Sequence, residues 1–231
     1  MKISIGKFKI IKYITLIIFI LFQIYLIFIK KHYALDFEIY PNAVPSPNIF
    51  GNNIIGQTFI AERDNLARID LMLGTHERIN NKDVFFELWE IEDERKLVVK
   101  KVFNASTVKN NLYYPIEFKP IKKSRHKKYY FILYSPESTP ENSISIWMNE
   151  KDIYRFGECY FNHNAQRGDL NFRVYSKRPI YCELGRVVRN YSGILGNKLF
   201  LILTIIFFEI IQILFLAKLI DLVYYSLRKN E

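Results

Sequence analysis

Trp89, Trp147, Tyr154 and Tyr160 are the side chains in this sequence best suited to hold a ligand. Flat aromatic rings stack on the apolar faces of sugars, and aromatic residues make up 16% of the chain. The commoner use of such rings is to fill the interior of a β-sandwich. Phe86 and Leu88 have the opposite parity to Trp89, so in a strand the two sets face opposite ways. The densest basic run, Lys122-Lys123-Ser124-Arg125-His126-Lys127-Lys128, suits anionic glycan or lipid headgroups, or serves as a solvated turn.

Other chemistry finds little support. There is no Gly-x-Ser-x-Gly, no phosphate-binding Walker loop, no dinucleotide fingerprint and no zinc-protease helix. Pairs such as Glu87 with Glu90, or Asp64 with Asp70, are not distinctive in a chain with 23 acids, so no catalytic residue is assigned and no enzyme is expected. Asn162, His163, Asn164 and Asp169 offer oxygens that a calcium ion accepts, but the spacing fits no EF-hand loop and suits turns equally well. The four histidines are scattered, so neither a metal nor a cofactor is expected. Cys159 and Cys182 would pair in an oxidising compartment if the fold brought them within reach, and otherwise remain thiols. Asn104-Ala105-Ser106 and Asn190-Tyr191-Ser192 match the glycosylation sequon, but the Ile, Lys and Asn bias indicates an AT-rich bacterial genome, where such matches are idle.

Two stretches, residues 13–29 and 199–217, are almost continuous Ile, Leu and Phe, and each reaches the ~17 residues needed to cross a hydrocarbon core. The first is too long for a signal peptide and ends in Lys30-Lys31-His32 without a small-x-small cleavage site. Lys2, Lys7, Lys9 and Lys12 place the tail 1–12 in the cytoplasm, and two spans return the tail 218–231 to the same side. The formal net charge of +10 then points to anionic membrane lipid or glycan, not nucleic acid. Within the spans, Glu209 is costly in hydrocarbon, Gln212 lies nearly on its face, and Gln23 is a candidate partner; a helix of a larger polytopic membrane protein is another.

Between the spans, residues 30–48 carry Pro41, Pro45 and Pro47 and read as a stiff stalk. Residues 49–176 hold short β-branched and aromatic runs at 57–61, 67–74, 84–91, 97–103, 113–118, 129–135, 144–148, 158–162 and 170–175, separated by turn residues. That spacing predicts a mainly β fold, an antiparallel sandwich between two transmembrane helices. Residues 177–198 form a basic juxtamembrane segment suited to lipid phosphates.

Gly56-Gln57-Thr58-Phe59, the run Asp64-Asn65-Leu66-Ala67-Arg68-Ile69-Asp70, Tyr129-Tyr130-Phe131 and Gly168-Asp169-Leu170-Asn171-Phe172 together resemble a jelly-roll-like module of bacterial membrane proteins. The resemblance covers residues 49–175 and implies a carbohydrate-binding-like domain associated with cell-envelope polysaccharide assembly, with no catalytic residue carried over. The expected function is therefore an extracytoplasmic sandwich that binds glycan or a partner protein. The alternative is a structural or scaffolding subunit of a membrane transferase or transporter. A hydrolase would need two carboxylates facing each other across a cleft.

Overall fold

The structure is a computed structural model, and it describes residues 5–39, 43–183 and 197–229. Two compact units divide the chain: Tyr33–Lys177, and the combination of Met1–His32 with Arg178–Glu231.

The second unit is built on two helices. Helix α1, Ile5–Ile24, continues through a wider turn at Tyr25–Ile29, and α2 spans Lys198–Lys229. Each contains a 25-residue stretch, Ile5–Ile29 and Ile202–Ser226, long and apolar enough to cross a membrane. These outrun the stretches 13–29 and 199–217 because a helix needs only local hydrogen bonds and does not stop at a lysine. The helices pair antiparallel. Phe8 stacks on Tyr224 at 3.7 Å, Lys12 Nζ meets Asp221 Oδ2 at 2.6 Å, and Gln23 Nε2 donates to Gln212 Oε1 at 3.2 Å. The half-buried side chains recur every three or four residues, as Phe8, Lys12, Leu16, Phe19 and Gln23 on α1 and Glu209, Ile213, Leu216, Ile220 and Tyr224 on α2. That spacing is the seam of a two-helix contact.

The first unit is a β-sandwich. Its strands are β1 (Lys31–Glu38), β2 (Ala43–Pro45), β3 (Ile54–Ile60), β4 (Leu66–Gly74), β5 (Asp83–Ile91), β6 (Arg95–Asn104) and β7 (Leu112–Ile121). They continue as β8 (Lys128–Tyr134), β9 (Ser145–Asn149), β10 (Cys159–Phe161), β11 (Asn164–Gln166), β12 (Asp169–Leu170) and β13 (Phe172–Pro179). One sheet runs β1-β13-β4-β9-β12, with β7 also on β4 and β2 also on β9; the other runs β11-β10-β3-β8-β5-β6.

The two sheets share one core. Phe59 and Phe131 from the six-stranded sheet meet Phe172 from the other at 5.7 and 5.1 Å, and all three are fully buried. Alternation explains the inward set, since Ile69, Leu71 and Leu73 of β4 and Phe86 and Leu88 of β5 have no exposed surface. The nine runs read from the sequence all correspond to strands.

The segment 30–48 is not a stalk. It supplies β1, which pairs with β13, and β2, which pairs with β9, so the described sheet domain begins before residue 49. Pro45 is tolerated because it is the last residue of β2, where a missing N–H interrupts little of the ladder. Of the proposed basic segment 177–198, Lys177 to Pro179 close β13, while residues 184–196, with the second sequon, lie outside the described residues.

Candidate ligand-binding face

The outward side chains of the six-stranded sheet come from the positions that alternate with the core. Register places Thr58 of β3 and Trp89 of β5 opposite Tyr130 of β8, and Tyr160 of β10 opposite Gly56. Gly56 leaves room for this arrangement: a Cβ there would stand 2.4 Å from the Phe131 carbonyl and 2.8 Å from the Tyr130 ring. Tyr130 and Tyr160 meet edge to face at 5.5 Å. The Arg95 guanidinium sits over the Tyr130 ring at 5.8 Å, within cation–π range.

These groups enclose a shallow cleft of about 140 Å³, lined by Thr58, Ile91, Arg95, Lys128, Tyr130, Tyr160 and His163. A site for a whole drug-sized ligand exceeds about 300 Å³, so the cleft suits one ring or substituent of something larger. Tyr130 forms its floor, and burial pushes its hydroxyl up to about 12, so it acts only as a neutral hydrogen-bonding group at physiological pH. The Tyr160 hydroxyl donates to Glu158 at 2.5 Å, and that bond, with burial, raises its pKa.

His163 reaches the cleft through an unusual turn. The hairpin from β10 to β11 closes with two residues, Asn162 at φ 48° and His163 at φ 66°. Both are left-handed, the geometry of a type I′ turn, whose second place favours Gly.

Next to the cleft the same face carries a hydrogen-bonded aromatic row. Phe85 stacks on Tyr134 at 5.1 Å. Glu87 accepts from Tyr134 at 3.0 Å and from the Trp89 indole at 3.2 Å, and pairs with Lys100 at 3.0 Å. Glu87 is 8% exposed, so its charge is satisfied from three sides. Burial first, and then Glu87, raises the Tyr134 pKa.

Of the four aromatics named from the sequence, Trp89 and Tyr160 share this face. Trp147 is on the other sheet, where its indole donates to Asn111 at 2.9 Å and its ring lies 6.3 Å from His76. Tyr154 is tied into the core, stacked on Phe37 at 5.1 Å, with its hydroxyl accepting from the Ile60 amide at 3.1 Å. Among the membrane-helix residues, Gln23 meets Gln212, whereas Glu209 has no hydrogen bond or ion pair among the described residues.

The basic run is divided between roles. Ser124 is buried and bonds the Leu66 amide at 3.1 Å, Lys127 pairs with Glu90 and Glu92, and Lys128 lines the cleft. Asp169, weighed for calcium, is fully buried and already holds three donors: Gln57 Nε2 at 2.9 Å and the Ile153 and Tyr154 amides at 2.8 and 2.9 Å. Among the described residues no group of three His, Cys, Asp or Glu is placed to hold a metal. Both cysteines are free thiols.

Arg95 and Ile91 were not singled out from the sequence, and Tyr130 and Thr58 entered it only through the resemblance, not as ligand-binding residues. The run Lys-Tyr-Tyr-Phe-Ile-Leu-Tyr of β8 is apolar on both parities and hides which tyrosine faces outward. Only the β3–β8–β5 register reveals it.

The fold and this face define a β-sandwich carried on a chain with two membrane-length helices. No protein family matches the sequence, and no curated protein matches it either.

Proposed function

We propose that the chain is a two-pass membrane protein whose sandwich lies outside the cytoplasm and binds glycan through the Tyr130–Tyr160 cleft, in bacterial cell-envelope polysaccharide assembly. The observation that carries this is a concave outer face in which two tyrosine rings, the Arg95 guanidinium and Lys128 converge. Rings and hydrogen-bonding groups in one cleft are what a sugar face and its hydroxyls require. The resemblance of the Gly56–Phe59 and Gly168–Phe172 segments to carbohydrate-binding-like modules supports the same reading. Orientation rests on Lys2, Lys7, Lys9 and Lys12, which favour cytoplasmic termini.

The test is binding of the purified full chain, in lipid nanodiscs, to an array of envelope-type glycans, with Tyr160→Ala beside it. Saturable binding that falls at least tenfold in the folded variant supports the cleft; a folded wild type that binds no glycan removes the reading.

A second reading, a non-catalytic scaffolding subunit of a membrane transferase or transporter, is favoured by Glu209. A carboxyl in a membrane-length helix with no partner among the described residues suits a donor on a helix of a polytopic partner.

A further inference from the structure

Several cations on the faces of the sandwich are neutralised within the domain. Arg68 holds Asp70 through Nε at 2.5 Å and Nη2 at 2.8 Å, Arg173 holds Glu38 at 2.7 Å, Lys100 holds Glu87 at 3.0 Å, and Lys127 is shared by Glu90 and Glu92. Two cations without such a partner share the cleft. Arg95 and Lys128 both line it, and among the described residues neither has a carboxylate within ion-pair distance. Of the acids around it, Glu158 accepts from Tyr160 and Glu90 and Glu92 are held by Lys127, while Asp93 and Glu94 line the adjoining hollow with Arg95 and form no ion pair with it. His163 adds an imidazole from a left-handed position where Gly would be the unstrained choice. The Arg95 guanidinium stands 5.8 Å from the Tyr130 ring centre, and its fork of N–H groups suits a two-pronged acceptor.

We infer that the glycan bound by this cleft is acidic, carrying a carboxylate or phosphate that Arg95 and Lys128 clamp while its sugar ring lies against Tyr160. The inference rests on the glycan-binding reading and names the substrate class. Two exposed cations beside aromatic rings give a neutral sugar only ordinary hydrogen bonds from its hydroxyls. A carboxylate or phosphate gains charge-assisted bonds from both.

The experiment measures binding of the full chain in neutral-lipid nanodiscs to trigalacturonate, to its neutral methyl ester and to a hexose phosphate. Arg95→Gln, Arg95→Lys, Lys128→Gln and, as a control outside the cleft, Lys122→Gln are compared. The expected result is at least tenfold preference for the acids over the ester. Binding falls tenfold or more in Arg95→Gln and Lys128→Gln, falls less in Arg95→Lys, and is unchanged in Lys122→Gln. Equal binding of acid and ester overturns the inference and leaves the glycan reading standing. Equal losses in Lys122→Gln reduce the effect to general charge attraction and also overturn it. A folded chain that binds none of the three overturns both.

Discussion

Asp169 shows how a residue can look like a ligand in the sequence and be a structural post in the fold. Its neighbours Asn162, His163 and Asn164 suggested an oxygen-rich site, but its carboxylate faces inward and its acceptors are filled. The Gln57 amide donates to Asp169 and its carbonyl accepts from Leu170 at 3.1 Å, so the pair ties the loop before β10 to the middle of β3. Asp169→Asn keeps the shape and breaks the logic. An Asn amide turned toward Ile153 and Tyr154 sets donor against donor; turned toward Gln57, it forces that side chain to present its NH₂ to the Leu170 amide. Either arrangement leaves a buried group unsatisfied, at about 2–3 kcal/mol. Thermal denaturation should show the melting temperature of Asp169→Asn lowered by roughly 5 °C or more, with the exposed Asn164→Ala unchanged; an unshifted Asp169→Asn would mean that the carboxylate is dispensable. The aromatics divide in the same way: all four were visible as residue types, but only register separates Tyr160 on the open face from Tyr154 in the core.

At the scale of elements, the strands were legible because β-branched and aromatic runs between turns have few other uses in a domain of this size. The exceptions have physical causes. β1 and β2 follow a span and contain or adjoin prolines, which read as an extended linker; an extended linker that finds a sheet edge becomes a strand. β11 has only three residues, all exposed, and no apolar pattern to announce it. The helices were legible from composition, and Gln23 was already a candidate partner for the Glu209–Gln212 face, but the Lys12–Asp221 pair was not foreseen. The seam appears only when Gln23 is set against Gln212 and Lys12 against Asp221. Glu209 lies on that half-buried seam one turn before Gln212, yet Gln212 is already taken by Gln23. If a polytopic partner answers its carboxyl, Glu209→Leu should weaken that assembly by about 1–2 kcal/mol, since polar side-chain contacts between membrane helices are worth that much at most. On a native gel in mild detergent the wild-type chain is then found in a larger complex, from which the variant dissociates several-fold to tenfold more readily. A variant that migrates with the wild type would take Glu209 out of any assembly and leave the scaffolding reading without its main support.

For the whole molecule, the decisive question is which side of the membrane the sandwich occupies, because a cytoplasmic sandwich would never meet envelope glycan. The two cysteines provide a built-in probe, since both lie between the spans and differ sharply in reactivity. Cys159 is 1% exposed, and burial, reinforced by the negative Asp169, pushes its thiol up to about 12. The reactive species is the thiolate, so folded Cys159 is inert near pH 7 on two counts, access and ionisation. Cys182, past the end of β13, is half-buried and free. A membrane-impermeant maleimide applied to intact spheroplasts should therefore label one thiol per chain, and Cys182→Ser should abolish the signal. Denaturing the purified protein should expose both. Labelling that needs permeabilised membranes would invert the orientation read from Lys2, Lys7, Lys9 and Lys12, and with it the whole glycan proposal would fall. Labelling of the Cys182→Ser variant in intact spheroplasts would instead show that the sandwich opens at β10, the strand whose Tyr160 forms one wall of the cleft.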